Sequence, residues 1–393
     1  MPVLRFVRIL TICLLVAQST SCAVQHATYL PGDACETSSF TVADSFSGAR
    51  RGKCTVLSGN HVRLEILPEN EGYINDSPWY AFKLLPASPT TATITLQYHG
   101  GHHRYWPKIS DDGLKWMPLD ATQVTTSGDG QQFDIRLTLS SDPVWIAAQE
   151  LVTPAVYDSW NYTIASVTGA PITELGTSTA GLPIFAFDSN AAASEVLLLV
   201  GRQHPPEVSG AFAFFSFTET IFGDSDLARR FRARFRVIAI PLLNPDGVVG
   251  GNWRHNLAGI DLNRDWGPFT QPETQLMADI LEKLDASGSE LRMFIDFHST
   301  RENVFYALPD VTRPPGFLET WLDNARPRIT NYPFNLDQGP ASSDAIAKNY
   351  VFARYGIPAV TFEVGDETDR DSTQLAARVF AEELMQLMLS QEY

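Results

Sequence analysis

The sequence predicts two structural units in series, an antiparallel β-sandwich followed by an α/β unit with a mixed sheet between helices. Two patterns and one bulk property carry that expectation. Residues 37–165 break into short segments in which apolar and polar residues alternate, with no long amphipathic helix among them. Beyond residue 193 the pattern changes to apolar runs separated by stretches of helical period, as strands crossed by helices would give. The bulk property is size: 393 residues, 44% hydrophobic and 19% charged, suffice for two ordinary cores. The boundaries read from these patterns are a leader at 1–23, the sandwich at 24–165, a lead-in at 166–192 and the α/β unit at 193–393.

The leader has the layout of an export signal. Arg5 and Arg8 precede an apolar run from Ile9 to Ala17, too short for a permanent bilayer span, and small polar residues follow it. It ends either by cleavage after Ala23, where Ser21-Cys22-Ala23 has a small-x-small form, or at Cys22 as a lipid anchor behind the imperfect lipobox Ser19-Thr20-Ser21. Both endings place the mature chain outside the cytoplasm, periplasmic or secreted, with no transmembrane helix. Removing the leader leaves Cys35 and Cys54, an even pair in an oxidising compartment, and a disulfide between them is expected. The formal net charge of −16 repels polyanions and argues against a nucleic-acid partner.

Within the front unit, 62–66, 79–84, 91–96 and 133–139 read as strands, with turns such as Ser127-Gly128-Asp129-Gly130 between them. The histidines of His99-Gly100-Gly101-His102-His103 have no Cys or acidic neighbours in sequence and are read as solvated polar side chains. Residues 166–192, rich in Thr, Ser, Gly and Pro, read as a linker. After it, 195–200, 237–240, 293–297 and 359–362 read as buried strands, and 271–284, 316–328, 344–354 and 373–389 as helices.

Chemistry-bearing residues gather where these strands end. His204-Pro205-Pro206-Glu207 leaves the first strand and precedes a helix, so an imidazole and a carboxylate three residues apart sit in a proline-stiffened loop, able to bind one Zn²⁺ side by side. Downstream come Asn244-Pro245-Asp246-Gly247 after a strand, Asn252-Trp253-Arg254 leading into Asp261-Leu262-Asn263-Arg264-Asp265-Trp266, a His at Asp296-Phe297-His298, and a Glu at Phe362-Glu363-Val364-Gly365. Singly each has an ordinary structural reading: a turn, a surface ion pair, a hydrogen-bonded strand-end polar group. Together they supply the parts of a metallohydrolase in one half-chain.

The order His204-x-x-Glu207, Arg254, Asn263-Arg264, His298, Glu363, with the Asn-Pro-Asp-Gly and Asp-Leu-Asn-Arg-Asp-Trp runs, resembles the zinc metallocarboxypeptidase family from about residue 194 to the C-terminus. The front unit, through Ser77-Pro78-Trp79-Tyr80-Ala81-Phe82 and Tyr105-Trp106-Pro107-Lys108, resembles the N-terminal domain of the cytosolic carboxypeptidase branch, which beside a signal peptide suggests an exported bacterial relative. The resemblance implies one Zn²⁺ per chain on His204, Glu207 and His298, with an open position for an acidified water. It implies Glu363 as general base, Arg254 as oxyanion donor, Asn263 and Arg264 as the clamp on a substrate's terminal carboxylate, and Asp261 as an orienter of a ligand histidine. The substrate is then the C-terminus of a peptide or protein.

One departure stands out. The active-site Tyr expected between Tyr332 and Asp344 is missing, and Asn335-Leu336-Asp337-Gln338 occupies that stretch. The pocket for the terminal side chain is expected near Ser342, Ser343 and Asp344. Lys348 and Arg354 are its candidate cations, although a solvated helix position is the default reading of each. The rival enzyme is a zinc amidase or deacylase on the same scaffold, acting on murein peptides or N-acyl amino acids. An inactive C-terminus-binding module has no use for Glu363 beside the metal, and a serine hydrolase lacks its Gly-x-Ser-x-Gly.

Overall fold

The structure, a computed structural model, describes residues 35–70, 76–309, 314–340 and 342–391; the expected leader, with Cys22, lies outside the described residues. Among the described residues no helix is long and apolar enough to cross a membrane.

Residues 35–147 form two facing sheets. One has the order 35–36, 40–43, 81–86, 144–147, 108–110, 117–118, and the other 54–58, 61–66, 90–98, 132–139, 124–126. The pairings are antiparallel except that His61–Ile66 runs parallel to Thr90–Tyr98. The alternation read from the sequence is what fills the space between them: along Gln132–Leu139, Phe133, Ile135, Leu137 and Leu139 are buried while the residues between them are not. Cys35 and Cys54 are disulfide-bonded, Cα to Cα 5.8 Å, and because they lie in different sheets the bond staples the sandwich at one corner.

The second unit is built on an eight-stranded mixed sheet in the order 172–177, 183–188, 235–240, 195–201, 290–300, 359–365, 304–307, 335–338. Its centre is parallel: Glu195–Gly201 lies between Phe235–Ile240 and Glu290–Thr300, and Glu290–Thr300 is parallel to Ala359–Gly365. Such strands are covered on both faces, which explains runs like Val196-Leu197-Leu198-Leu199-Val200, all fully buried. Val208–Phe222, Phe317–Ala325 and Arg370–Ser390 cover one face, and Pro272–Ser287 with Ala347–Tyr355 covers the other.

The structure differs from the sequence reading at residues 154–192. Instead of the end of the sandwich and a linker, it holds the helix Pro154–Thr168 and the strands Ile172–Thr177 and Pro183–Asp188. The strands form the antiparallel edge of the mixed sheet, where little apolar alternation is demanded and Pro183 at a strand start is tolerated. The helix is opened by Pro154 at its first turn, and it packs on the second unit, with Trp160 stacked 4.5 Å from Phe215. Its buried residues Tyr157, Asn161 and Ile164 include a polar one, so its apolar period is faint in the sequence.

The two units meet along a polar seam. Arg104 makes a paired contact with Asp366, Lys108 reaches Glu367 at 2.6 Å, Arg370 reaches Glu150 at 2.8 Å, and Gln149 donates to the Asp366 carbonyl. The disulfide closes a loop of sequence separation 19, for which chain-entropy reasoning gives about 3 kcal/mol. Replacing both Cys35 and Cys54 by Ala should lower the free energy of unfolding in guanidinium by about that amount; an unchanged midpoint would show that the corner is held without the bond.

Candidate active site

The site lies at the C-terminal ends of the central parallel strands, where helix N-termini and loops converge. His204 follows Glu195–Gly201 by way of Arg202, whose backbone takes a left-handed φ of 54°. That turn is secured by the side chain itself: Arg202 Nε and Nη2 donate to the Pro205 carbonyl at 2.9 and 2.7 Å. Asn244 steadies the same loop, donating Nδ2 to the Gln203 carbonyl while its Oδ1 caps the short helix Pro245–Gly250. The Asn-Pro-Asp-Gly run is therefore a capped helix start packed beneath the His204 loop. Gly247 is there because a Cβ would fall 2.6 Å from Pro205.

Glu207 is the N-cap residue of Val208–Phe222, and His298 lies near the end of Glu290–Thr300. The Nδ1 atoms of the two histidines are 3.1 Å apart, and each lies 2.7 Å from one oxygen of Glu207. Helix and strand can approach this closely because residue 210 is Gly: a Cβ there would sit 2.4 Å from the His298 carbonyl oxygen. Each outer imidazole nitrogen meets another carboxylate, His204 Nε2 at 3.0 Å from Asp261 Oδ1 and His298 Nε2 at 2.7 Å from Asp296 Oδ2. Asp296 is fixed in turn by Gln203, and Gln203 by the indole of Trp266.

Electrostatics follow from this packing. Burial acts to raise the Glu207 carboxyl, but the two imidazoles outweigh it and hold it well below the usual carboxylate range. Burial opposes a charge on His298, yet Asp296 and Glu207 raise it well above its ordinary value. Asp261 is held down by His204 and Arg254 despite its own burial. Two imidazoles that turn Nδ1 toward each other around one carboxylate, each with its far nitrogen on a second carboxylate, form the donor set of a divalent metal with oriented histidine ligands. His204, Glu207 and His298 are also the one group of three or more potential ligand residues found close enough together among the described residues. The residues fit zinc.

Around this triangle runs a cleft of ≈ 240 Å³ lined by, among others, Arg254, Asn263, Arg264, Tyr306, Lys348 and Glu363. Glu363 is the register partner of His298 on the neighbouring parallel strand, so both side chains leave the same face of the sheet. Its Oε2 is enclosed without a hydrogen-bond partner. Burial, then the Glu207 carboxylate, push Glu363 up to about 8 against the pull of His298 and Arg104. Arg254 is buried and its Nε donates to Asp261 Oδ2 at 2.6 Å. Asn263 and Arg264 form the 3₁₀ turn Leu262–Arg264, capped by Asp261. Asn263 Oδ1 accepts the Ala347 amide at 2.9 Å, and Arg264 donates Nη1 to the Asn263 carbonyl.

Several residues at the site escaped the sequence reading. Asp296 shares a face with His298 two residues on, a signal available in the strand period but not used. Tyr306 enters the cleft from Val304–Ala307, opposite Thr361, whereas Asn335–Gln338 forms the edge strand beside it. Arg104 comes from the sandwich and lines the same cleft, a placement that no local pattern announces. Of the two candidate pocket cations, Lys348 lines the cleft, while Arg354 is bound to Tyr350 and to Asp285 on another helix. His99, His102 and His103 meet Glu65, Asp76 and Tyr98.

Comparison with known proteins agrees with this geometry. The zinc carboxypeptidase family profile matches residues 165–369, just over half of the chain. An uncharacterized protein of Zymomonas mobilis is 24% identical over 322 residues, covering 78% of this chain and 83% of its own length. Mouse cytosolic carboxypeptidase 3 is 34% identical over 128 residues, which is 31% of this chain but 12% of the mouse protein. A metallo-carboxypeptidase from Burkholderia cenocepacia superposes with a TM-score of 0.75 over 90% of this chain and 100% of that one, at 19% identity. One from Pseudomonas aeruginosa, solved with (2-guanidinoethylmercapto)succinic acid, gives 0.69 over 88% and 98%, at 20% identity. Fold, metal-ligand geometry and family profile agree, and the chain belongs to the zinc carboxypeptidase family.

Proposed function

We propose that this protein is an exported carboxypeptidase that hydrolyses the C-terminal peptide bond of peptides or proteins, with one zinc per chain on His204, Glu207 and His298. The single observation that carries the reading is Glu363: an unpartnered carboxylate oxygen, enclosed in the cleft and set in register beside a candidate ligand histidine. A carboxylate enclosed in the cleft with one oxygen unpartnered can accept a proton and return it, which a purely structural glutamate has no need to do. Zinc bound at the triangle supplies a Lewis acid and an acidified water.

The chain's own residues do the remainder. Glu363 takes the proton of the attacking water and delivers it to the leaving amine. Arg254, aimed by Asp261, donates to the oxygen that becomes negative as the carbonyl is attacked. Arg264 and the amide of Asn263 hold the terminal carboxylate of the substrate, which makes the enzyme an exopeptidase, because a continuing chain has no carboxylate to offer there. Asp261 and Asp296 keep the histidines in the orientation that presents Nδ1 to the metal. Lys348 provides a cation on the cleft wall and favours an acidic terminal side chain. Export is supported by the leader pattern and by the Cys35–Cys54 disulfide.

Mass spectrometry of a mixed peptide pool incubated with the zinc-loaded protein should show loss of single C-terminal residues, and the Glu363→Gln variant should show none above background. Zinc binding without any shortened peptide would overturn the peptidase reading in favour of an amidase of murein peptides or N-acyl amino acids. Asp296→Asn should weaken zinc binding roughly 10–100-fold in a competitive chelator titration. Unchanged affinity would deny Asp296 its orienting role. Lys348→Met should cut the preference for C-terminal Glu over Leu by about tenfold or more, the worth of one hydrogen bond to a charged group. Equal preference in both proteins would remove Lys348 from the pocket.

A further inference from the structure

Glu69 belongs to the sandwich unit and lies outside the residues that match the family profile, yet its carboxylate is spent on the loop that carries Arg254. It follows the strand His61–Ile66, and its side chain is 8% exposed. Oε2 accepts the Trp253 amide at 2.7 Å, and Oε1 accepts the Arg254 amide at 3.0 Å and the His255 amide at 2.7 Å. His255 Nδ1 lies 2.9 Å from the same Oε1. Three consecutive backbone N–H groups converging on one anion form a nest, a concavity that fixes the backbone conformation of the residues supplying it. Burial alone would raise the Glu69 carboxyl, but these hydrogen bonds, the His255 side chain first, hold it at about 2, so it stays ionised at any working pH.

The neighbouring contacts point the same way. Asn70 Nδ2 donates to the Gly259 carbonyl at 3.2 Å, and Asn252 closes the loop on itself through the His255 carbonyl at 3.0 Å. Trp253 is fully buried against Gly101 of the sandwich. The segment between Gly250 and the 3₁₀ turn Leu262–Arg264 has no helix or strand of its own to set its path. Arg254 is thereby held at two ends, its guanidinium by Asp261 and its backbone by a carboxylate from the other unit.

We infer that Glu69 is a positioning residue for Arg254, so that the sandwich unit completes the oxyanion-binding half of the active site. The inference rests on the reading that Arg254 stabilises the oxyanion. An interaction of that kind acts on turnover more than on ground-state binding. A glutamine at 69 would place an amide donor against amide donors and lose the charge, whereas an aspartate keeps the charge at a shorter reach.

The test uses the full zinc-loaded protein and an N-blocked dipeptide, comparing wild type, Glu69→Gln, Glu69→Asp, Arg254→Ala and the Glu69→Gln/Arg254→Ala double variant. Arg254→Ala should lower kcat about 10²–10³-fold, as loss of an oxyanion donor does. Glu69→Gln should lower kcat about tenfold or more with KM within about threefold, and Glu69→Asp should recover part of it. The double variant should be no worse than Arg254→Ala alone. Hydrogen exchange at residues 253–255 should accelerate in Glu69→Gln while the strand Glu290–Thr300 keeps its protection. If the two single losses multiply in the double variant, or exchange at 253–255 is unchanged, the positioning role is overturned while the Arg254 reading stands. If Arg254→Ala turns over like the wild type, the Arg254 reading fails and the inference falls with it.

Discussion

Two histidine rings with their Nδ1 atoms 3.1 Å apart around one buried carboxylate are the contact on which the rest of this structure depends. Such an arrangement is unfavourable unless a positive charge sits at its centre, because neutral imidazole lone pairs repel and an isolated buried carboxylate is costly. Asp296 and Glu207, on opposite nitrogens of the His298 ring, favour positive charge at this point. A divalent cation held by His204, Glu207 and His298 would supply that charge. The carboxylates of Asp261 and Asp296 hold the rings by their outer nitrogens, so that both Nδ1 atoms face the Glu207 carboxylate.

The fold provides the rigidity this demands. Parallel strands buried on both faces place His298 and Glu363 side by side by register, which no loop could do as reproducibly. A glycine at 210 lets the helix capped by Glu207 lie directly on the His298 strand, so Glu207 and His298 are brought together by backbone contact rather than by adjustable side chains. Pro205, Pro206 and the Arg202 bonds to the Pro205 carbonyl remove the freedom of the intervening loop. From the other side the sandwich adds the Glu69 anchor and the Arg104–Asp366 pair, next to the strand that carries Glu363. The seam between the units is polar, directional and concentrated at the site.

Much of the candidate site was legible because its residues sit at strand ends, and strand ends can be read from apolar runs. His204, Glu207, His298 and Glu363 each follow or close such a run, so the residues the structure gathers into one cleft could be named from the chain alone. Helices such as Pro272–Ser287 and Arg370–Ser390 were legible as helix-forming stretches between or after such runs. Residues 154–192 were not, because the edge strand Ile172–Thr177 lies in a stretch whose Thr, Ser, Gly and Pro give it the composition of a loop, and it becomes a strand only through its partner. Arg104, Tyr306 and Glu69 were hidden for a related reason. Their positions come from contacts across units or across an antiparallel strand pair, and local sequence carries no trace of partners that for Glu69 and Arg104 lie 185 and 262 residues away.

The measurement that tests the account most directly is X-ray absorption spectroscopy at the zinc edge of the protein loaded with one equivalent of metal. Two imidazole nitrogens at about 2.0–2.1 Å, carboxylate oxygen and one exchangeable light ligand are expected, with one imidazole shell lost in His298→Ala. A sulfur-containing shell, a closed set of protein ligands, or a spectrum unaltered by His298→Ala would contradict the central claim that His204, Glu207 and His298 form an open metal site.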